Sequence, residues 1–174
     1  MVLSKTENIE TNRLFLNKIG QHQVDIIFKL RSNETVCKYI ERPLYKKRKE
    51  ARIHVDKVVN ELRENNAITW VLTLKDNNKE IGTICLWNFS EDRKTAELGY
   101  DLLPEYHNKG YMSEALDNVI NFGFNIAKLK SIEAFTQFEN KASIHLLESK
   151  GFAFKPKRKD PDFPKNAIYV LSKT

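Results

Sequence analysis

Three features of this 174-residue chain predict an α+β fold. Residues 67–74, 80–88 and 95–103 are consecutive runs rich in β-branched and aromatic residues, separated by polar turns, the pattern of an antiparallel meander. Residues 49–63 carry Val55, Val58, Val59 and Leu62 at i, i+3, i+4 and i+7, one apolar stripe of a helix. A second long helical stripe opens at Gly110, so helices and strands are grouped rather than strictly alternating.

In chain order, Arg13, Leu14, Phe15 and Leu16 follow the Thr11-Asn12 turn signal and read as a first strand, with a helix over 21–31 and the amphipathic helix over 49–63 after it. The hairpin between 67–74 and 80–88 turns on Asp76-Asn77-Asn78, and the third strand follows the polar segment 90–94. From Gly110, the residues Met112, Ala115, Leu116, Val119, Gly123 and Ile126 or Ala127 share a face, ending near 128–130. Ser131–Gln137 is a strand, 140–150 a short helix closed by Gly151, and strands at 152–155 and 168–171 finish the chain. The predicted order is β-α-α-β-β-β-α-β-α-β-β, in one domain over 1–174, with no repeat and no Gly/Ser linker.

Composition narrows the function. The chain is 41% hydrophobic and 30% charged, and no stretch approaches the roughly 18 uninterrupted apolar residues of a membrane helix. Glu7 and Glu10 argue against a targeting peptide, so a soluble cytoplasmic protein is expected. Cys37 and Cys85 form no CxxC pair, which leaves no zinc or disulfide signature, and both read as small buried hydrophobes; no metal site is expected. A net charge of +6 favours an anionic partner. The basic segments KKRKEAR (46–52) and KPKRK (155–159) lack interleaved aromatics and read as solvated charge, which makes nucleic acid an unlikely partner.

The chemistry-bearing stretch runs from Leu102 through Pro104, Glu105, Tyr106, His107, Asn108, Lys109 and Gly110 into Tyr111, Met112 and Ser113, a strand passing through a polar loop into a helix. A helix N-terminus offers unpaired N–H groups and the positive end of the dipole, and a glycine there lets the backbone approach an anion. The single glycine matches neither a Walker A loop nor a dinucleotide fingerprint.

His107-Asn108-Lys109-Gly110-Tyr111-Met112 resembles the acetyl-CoA pyrophosphate loop of the GNAT acetyltransferases, in which an Arg or Gln is followed by two variable residues, Gly, one variable residue and Gly or Ala. Asn140, Ser143, Gly151 and Phe152 are similar to a second family segment. With Glu97-Leu98-Gly99-Tyr100 and Thr11-Asn12-Arg13-Leu14, the whole resembles the RimJ/RimL-like ribosomal-protein alanine N-acetyltransferase subgroup. His107 stands where the family has Arg or Gln, and Met112 where it has Gly or Ala. The resemblance implies a GNAT fold, a mixed and mostly antiparallel sheet flanked by helices, with acetyl-CoA as co-substrate.

It also implies roles. Main-chain groups of Leu102 and Leu103 would hold the pantetheine arm, and those of His107, Asn108, Lys109, Gly110, Tyr111, Met112 and Ser113 the pyrophosphate, with His107 able to touch phosphate when protonated. Asn140 would contact the pantetheine amide as well as cap its helix. Direct amine attack on a thioester needs a neutral nucleophile and a proton for the departing thiolate, and no covalent enzyme intermediate. Glu97 is the expected base and Ser143 the expected acid and cofactor contact, while Glu97 as a structural hydrogen-bond or ion-pair partner is the alternative. Tyr39, Trp87 and Asn88 are expected to wall the acceptor groove, and the loop 155–165 to border it. The acceptor is expected to be a protein N-terminal α-amine, with a small-molecule amine as alternative; a non-catalytic CoA-sensing or nucleic-acid-binding module is the rival outside enzymes. A homodimer is compatible with the family.

Overall fold

A computed structural model describes residues 1–173. Its eight strands form one sheet in the order β1-β2-β3-β4-β5-β6-β8-β7. They are β1 (Ile9–Glu10), β2 (Leu14–Lys18), β3 (Ile68–Leu74), β4 (Glu80–Trp87), β5 (Thr95–Leu102), β6 (Ser131–Gln137), β7 (Ala153–Phe154) and β8 (Asn166–Ser172). The helices are α1 (Val24–Arg31), α2 (Glu34–Cys37), α3 (Arg48–Arg63), α4 (Tyr111–Asn121) and α5 (Lys141–Ser149). Every neighbouring pair is antiparallel except β5 with β6. The expected α+β class, mixed sheet and meander are therefore present.

The alternation of the strands sorts side chains to two faces. On one, Leu14, Leu16, Trp70, Leu72, Ile84, Leu86 and Leu98 pack with Met112, Ala115, Leu116 and Val119 of α4. On the other, Val71 meets Ile27, Leu30, Val55, Val58 and Val59 of α1 and α3. The stripes of α3 and α4 are thus core, and Met112 faces inward, 6% exposed.

Two departures from the sequence expectation have local causes. Helix α4 passes at Phe122 into a π-helical segment, Phe122–Ile126, in which the Ala127 N–H reaches back to the Phe122 carbonyl. The wider turn shifts the phase of the stripe, so Ala127 packs on the core while Ile126 is half exposed. The two-residue β1 and the four-residue α2 are too short to carry a period, and α2 is fixed by its Asn33 N-cap, whose side chain accepts from the Val36 N–H. The basic segment 46–52 is solvated charge as expected: Lys46, Lys47, Arg48, Lys49 and Arg52 are exposed, and the segment is tied to the fold by Glu50, which accepts from the main-chain N–H groups of Lys46 and Lys47, and by Arg52, which donates to the Gln21 carbonyl at 2.7 Å.

The feature that positions the site is a gap. Strands β5 and β6 pair only from Thr95 with Ser131 to Leu98 with Ala134. Beyond that, β6 stays with β8 through Gln137 while β5 stays with β4 through Leu102, and the two part.

Candidate active site

Leu103 N–H donates to the Ile81 carbonyl, so alternation turns the main-chain groups of Gly99 and Asp101 toward β4 and those of Tyr100 and Leu102 into the gap. Leu102 is therefore placed to meet a ligand lying between the strands. Leu103 is not: its N–H is bound to Ile81, its carbonyl accepts from the Tyr106 N–H, and its side chain is buried on the α1/α3 face. The expected Leu103 main-chain contact is thus corrected to Tyr100, because Leu103 pairs with Ile81 and so turns its main-chain groups away from the gap.

Gly110 caps α4 in the left-handed region at φ +78°, where a side chain is strained, and its carbonyl accepts the first helical bond, from the Glu114 N–H. The N–H groups of Tyr111, Met112 and Ser113 consequently have no intrahelical acceptor and face outward at the positive end of the helix. Asn108 is also left-handed, φ +57°. This cradle fits a diphosphate, with Met112 offering only its backbone.

The loop is tied down from the far end of the sequence. Arg13 donates through Nε to Glu114 Oε2 at 2.7 Å and through Nη1 to the Lys109 carbonyl at 2.9 Å, and its guanidinium lies 4.5 Å from the Tyr111 ring centre. Thr11 Oγ1 and the Arg13 N–H both donate to Glu114 Oε1. Burial pushes the Glu114 carboxyl up, but these hydrogen bonds outweigh it and hold the group below its ordinary value. The His107 ring bonds the Leu102 carbonyl through Nε2 at 2.9 Å, across the mouth of the gap, rather than standing free in the loop.

A cavity of about 440 Å³ passes through the gap onto the α1/α3 face. Glu97, Gly99, Asp101, Cys85, Trp87, Tyr39, Asn140 and Ser143 all line it, so the expected base, acid and two of the three expected acceptor residues converge. Asn88 does not line this cavity but donates to Glu97 Oε2 at 3.1 Å, in an adjoining 260 Å³ recess that shares Trp87 and Glu61. Gly99 keeps the cavity floor open, since a Cβ there would stand 3.1 Å from Cys85 Sγ.

Glu97 is half-buried and, among the described residues, has no cationic partner within 4 Å, so of the structural alternative the ion pair is absent and the hydrogen bond, from Asn88, is present. Burial raises its carboxyl above the ordinary value; the Asn88 bond opposes this and the charges of Asp160 and Glu133 add to it. Across the gap, Ser143 Oγ and Tyr100 Oη are hydrogen-bonded at 2.7 Å, and burial pushes the Tyr100 phenol up to about 12, so it keeps its proton. Tyr100 is the functional candidate that sequence reasoning passed over. Asn140 caps α5 through its side-chain oxygen, which accepts from the Ser143 N–H at 3.2 Å and leaves its amide donors free. Cys85 is pushed up to about 12 by burial and so is no nucleophile. No residue of the loop 155–165 lines this cavity; the loop comes near it only through Arg158, which pairs with Glu133, the β6 neighbour of Glu97, by two bonds of 2.6 and 2.8 Å.

A helix start with outward N–H groups, a strand edge at a split in the sheet, and a carboxylate and a hydroxyl pair lining one cavity are parts that acyl transfer from a phosphopantetheine thioester would draw on. The chain matches the acetyltransferase (GNAT) domain model over residues 13–153 and belongs to that family. It is 30% identical over 144 residues to the uncharacterized N-acetyltransferase YoaA of Bacillus subtilis (strain 168), covering 83% of this chain and 81% of that one. It is 31% identical over 146 residues to the uncharacterized N-acetyltransferase p20 of Bacillus licheniformis, covering 84% and 82%. Among solved structures it superposes on a GNAT acetyltransferase from Bacillus anthracis with TM-score 0.81 and 25% identity, over 95% and 98% of the two chains. It superposes on RimL, the ribosomal L7/L12 alpha-N-protein acetyltransferase in complex with coenzyme A, with TM-score 0.85 and 18% identity over the same shares, a likeness of fold. The protein is an N-acetyltransferase that uses acetyl-CoA as co-substrate, and none of its described helices is long and apolar enough to cross a membrane.

Proposed function

We propose that the acceptor is an α-amine, a protein N-terminus in the RimJ/RimL manner, acetylated by direct attack in a ternary complex. The observation that carries this is Glu97: a half-buried carboxylate with a raised pKa and no cation beside it, in the same cavity as the Tyr100–Ser143 pair. An α-amine titrates near pH ~8 and a lysine near ~10.4, so a carboxylate of modest basicity suits the former.

Acetyl-CoA, when bound, supplies the activated acetyl thioester. The N–H groups of Lys109 to Ser113 hold its diphosphate, and the main-chain groups of Tyr100 and Leu102, with the Asn140 amide, hold the pantetheine arm. Glu97, oriented by Asn88, accepts the proton of the incoming ammonium directly or through a water. The Tyr100–Ser143 pair gives a proton to the departing sulfur and is restored by the second proton lost from the nitrogen as the amide forms; a thiol of pKa near ~8.5 needs only a weak acid. Tyr39 and Trp87 wall the acceptor path.

The test is release of CoA thiol with N-terminal peptides, blocked-α-amine lysine peptides and polyamines in parallel. Turnover confined to free α-amines is expected; turnover of polyamines or lysine side chains alone would overturn the reading.

A further inference from the structure

We infer that the acceptor carries a carboxylate close to its amine, and that Arg31, helped by Arg42, receives it. The inference deepens the α-amine reading and rests on the same cavity. Its basis is an account of the charges on the cavity wall. Arg42 Nη2 pairs with Asp101 Oδ2 at 3.0 Å, and Lys57 pairs with Glu61 at 3.6 Å. Two charged wall residues are left without an ionic partner among the described residues, and they have opposite signs: Glu97 and Arg31. Such a wall complements a molecule bearing one cation and one anion.

Arg31 is largely buried at the end of α1, and the Tyr45 hydroxyl, accepting from Nη1 at 3.1 Å, is its hydrogen-bonding partner among the described residues. Its five donors are far from satisfied by one phenol. Beside it, Arg42 Nε is buried with no hydrogen-bond partner, although its Nη2 is engaged. Arg31 is thus an unpaired guanidinium on the cavity wall open to an acceptor-only oxygen ligand, and Arg42, whose Nε is closed off, adds positive charge beside it. His54, on the same wall, is pushed down to about 3, first by burial and then by the charges of Arg31, Arg42 and Lys57, and so adds no competing proton chemistry near neutrality.

The placement also fits the reaction. Gly99 stands where β5 leaves β6, and Asp101, which holds Arg42, is two residues further on the same face, about 6.6 Å along the strand. A carboxylate on Arg31 and Arg42 therefore belongs a few bonds from an amine at the parting of the strands. Either the α-carboxylate of a small amino acid or an acidic side chain at the first or second position of a peptide meets this requirement. A polyamine does not, because Asp101 and Glu61 are already paired.

The experiment measures kcat/KM by CoA release for matched acceptors: N-terminal peptides beginning with an acidic residue against their amide counterparts, and free amino acids against amino-acid amides. Acidic members are expected to exceed neutral ones by about 10- to 100-fold, the range of a charge-assisted bond. Arg31→Gln is expected to erase that preference through KM, with the acetyl-CoA-induced thermal shift retained as the check that the protein is folded. A preference seen with free amino acids and no turnover of any peptide would keep this inference and overturn the protein N-terminal acceptor. Peptides turned over equally well with and without the carboxylate would do the reverse. The inference is also overturned if no carboxylate-bearing acceptor is used, or if the preference survives in Arg31→Gln.

Discussion

Arg13 and Glu114 stand 101 positions apart and meet at 2.7 Å, so the turn before β2 clamps the first turn of α4. Because Arg13 also holds the Lys109 carbonyl, one side chain fixes the loop on both sides of Gly110. Both groups are partly solvated, so the gain is order in the diphosphate cradle more than global stability. Arg13→Ala is expected to raise the Kd for acetyl-CoA by about tenfold with little change in kcat at saturation, read by titration calorimetry and steady-state rates. The pH dependence follows from the lowered Glu114 pKa: its stabilising contribution is present above the ordinary carboxylate range and is lost as pH falls through the lower folded value. Arg13→Ala should therefore narrow the acid-side fall in Tm relative to the parent protein.

Glu97 predicts the opposite sign. Its folded pKa is raised, so holding it ionised at neutral pH costs stability, and the cost sets in as pH rises from the unfolded value through the folded one. Glu97→Gln should lower kcat by about 10²-fold while leaving Tm above pH 6 equal or higher, by differential scanning fluorimetry. The acid limb of the kcat/KM profile, where the base is protonated and rate falls with falling pH, should disappear in Glu97→Gln. It should move to higher pH in Asn88→Ala, since the Asn88 bond is what lowers the group. An unchanged limb in both variants would remove Glu97 from the base role.

How much of this was legible beforehand depends on whether a feature is local. The α3 stripe, the meander and the Gly110 cap follow from spacing and backbone preference, and each is present. The Arg13–Glu114 clamp was not readable, because both segments could be quoted as motifs but nothing in a sequence joins them across the fold. Tyr100 was missed for a related reason: alternation alone gives it to the helix-covered face, and only the parting of β5 from β6 opens it to the gap. Leu102 and Leu103 cannot both offer main-chain groups to the gap, because neighbouring residues of a strand turn theirs to opposite sides, and only the pairing with β4 decides which of the two does. The unpaired Arg31 became visible only after Arg42, Lys57 and their carboxylates had found each other.

The Tyr100–Ser143 bond makes two variants interdependent. Tyr100→Phe and Ser143→Ala should each lower kcat by about tenfold, at the weak end for an acid because the leaving thiol is itself acidic. The double variant should be no slower than the slower single one, as expected for two members of one proton path. Additive losses in stopped-flow acetyl transfer would show that the hydroxyls act separately.

Gly123 tests the core beneath the site. A Cβ at this position would lie 2.8 Å from Ile132 Cδ1 and 3.3 Å from Leu129 Cδ1, so the π-helical turn approaches β6 closely through a glycine. Gly123→Ala should destabilise by about 1–3 kcal/mol through overpacking, despite the better helix propensity of alanine. Acetyl-CoA affinity should be retained once the protein is folded, because the cradle lies at the other end of α4.

Gly110 separates backbone strain from charge at the cradle itself. At φ +78°, Gly110→Ala introduces a left-handed residue costing about 1–2 kcal/mol and brings a Cβ to 3.3 Å from Arg13 Nη2. Arg13 has the flexibility to give way, so weakened binding that still saturates is expected for alanine. Gly110→Glu adds a carboxylate among the N–H groups that would face the diphosphate, where the helix dipole can favour only one anion at a time. It should abolish the acetyl-CoA thermal shift, which for the parent protein amounts to about 2.7 kcal/mol of added stability at ~100 times Kd. Because the carboxylate would itself be stabilised at the helix start, the unliganded Gly110→Glu protein should melt no lower than Gly110→Ala. A normal acetyl-CoA shift in Gly110→Glu would mean that the diphosphate sits elsewhere, and the loop from His107 to Ser113 would lose its role.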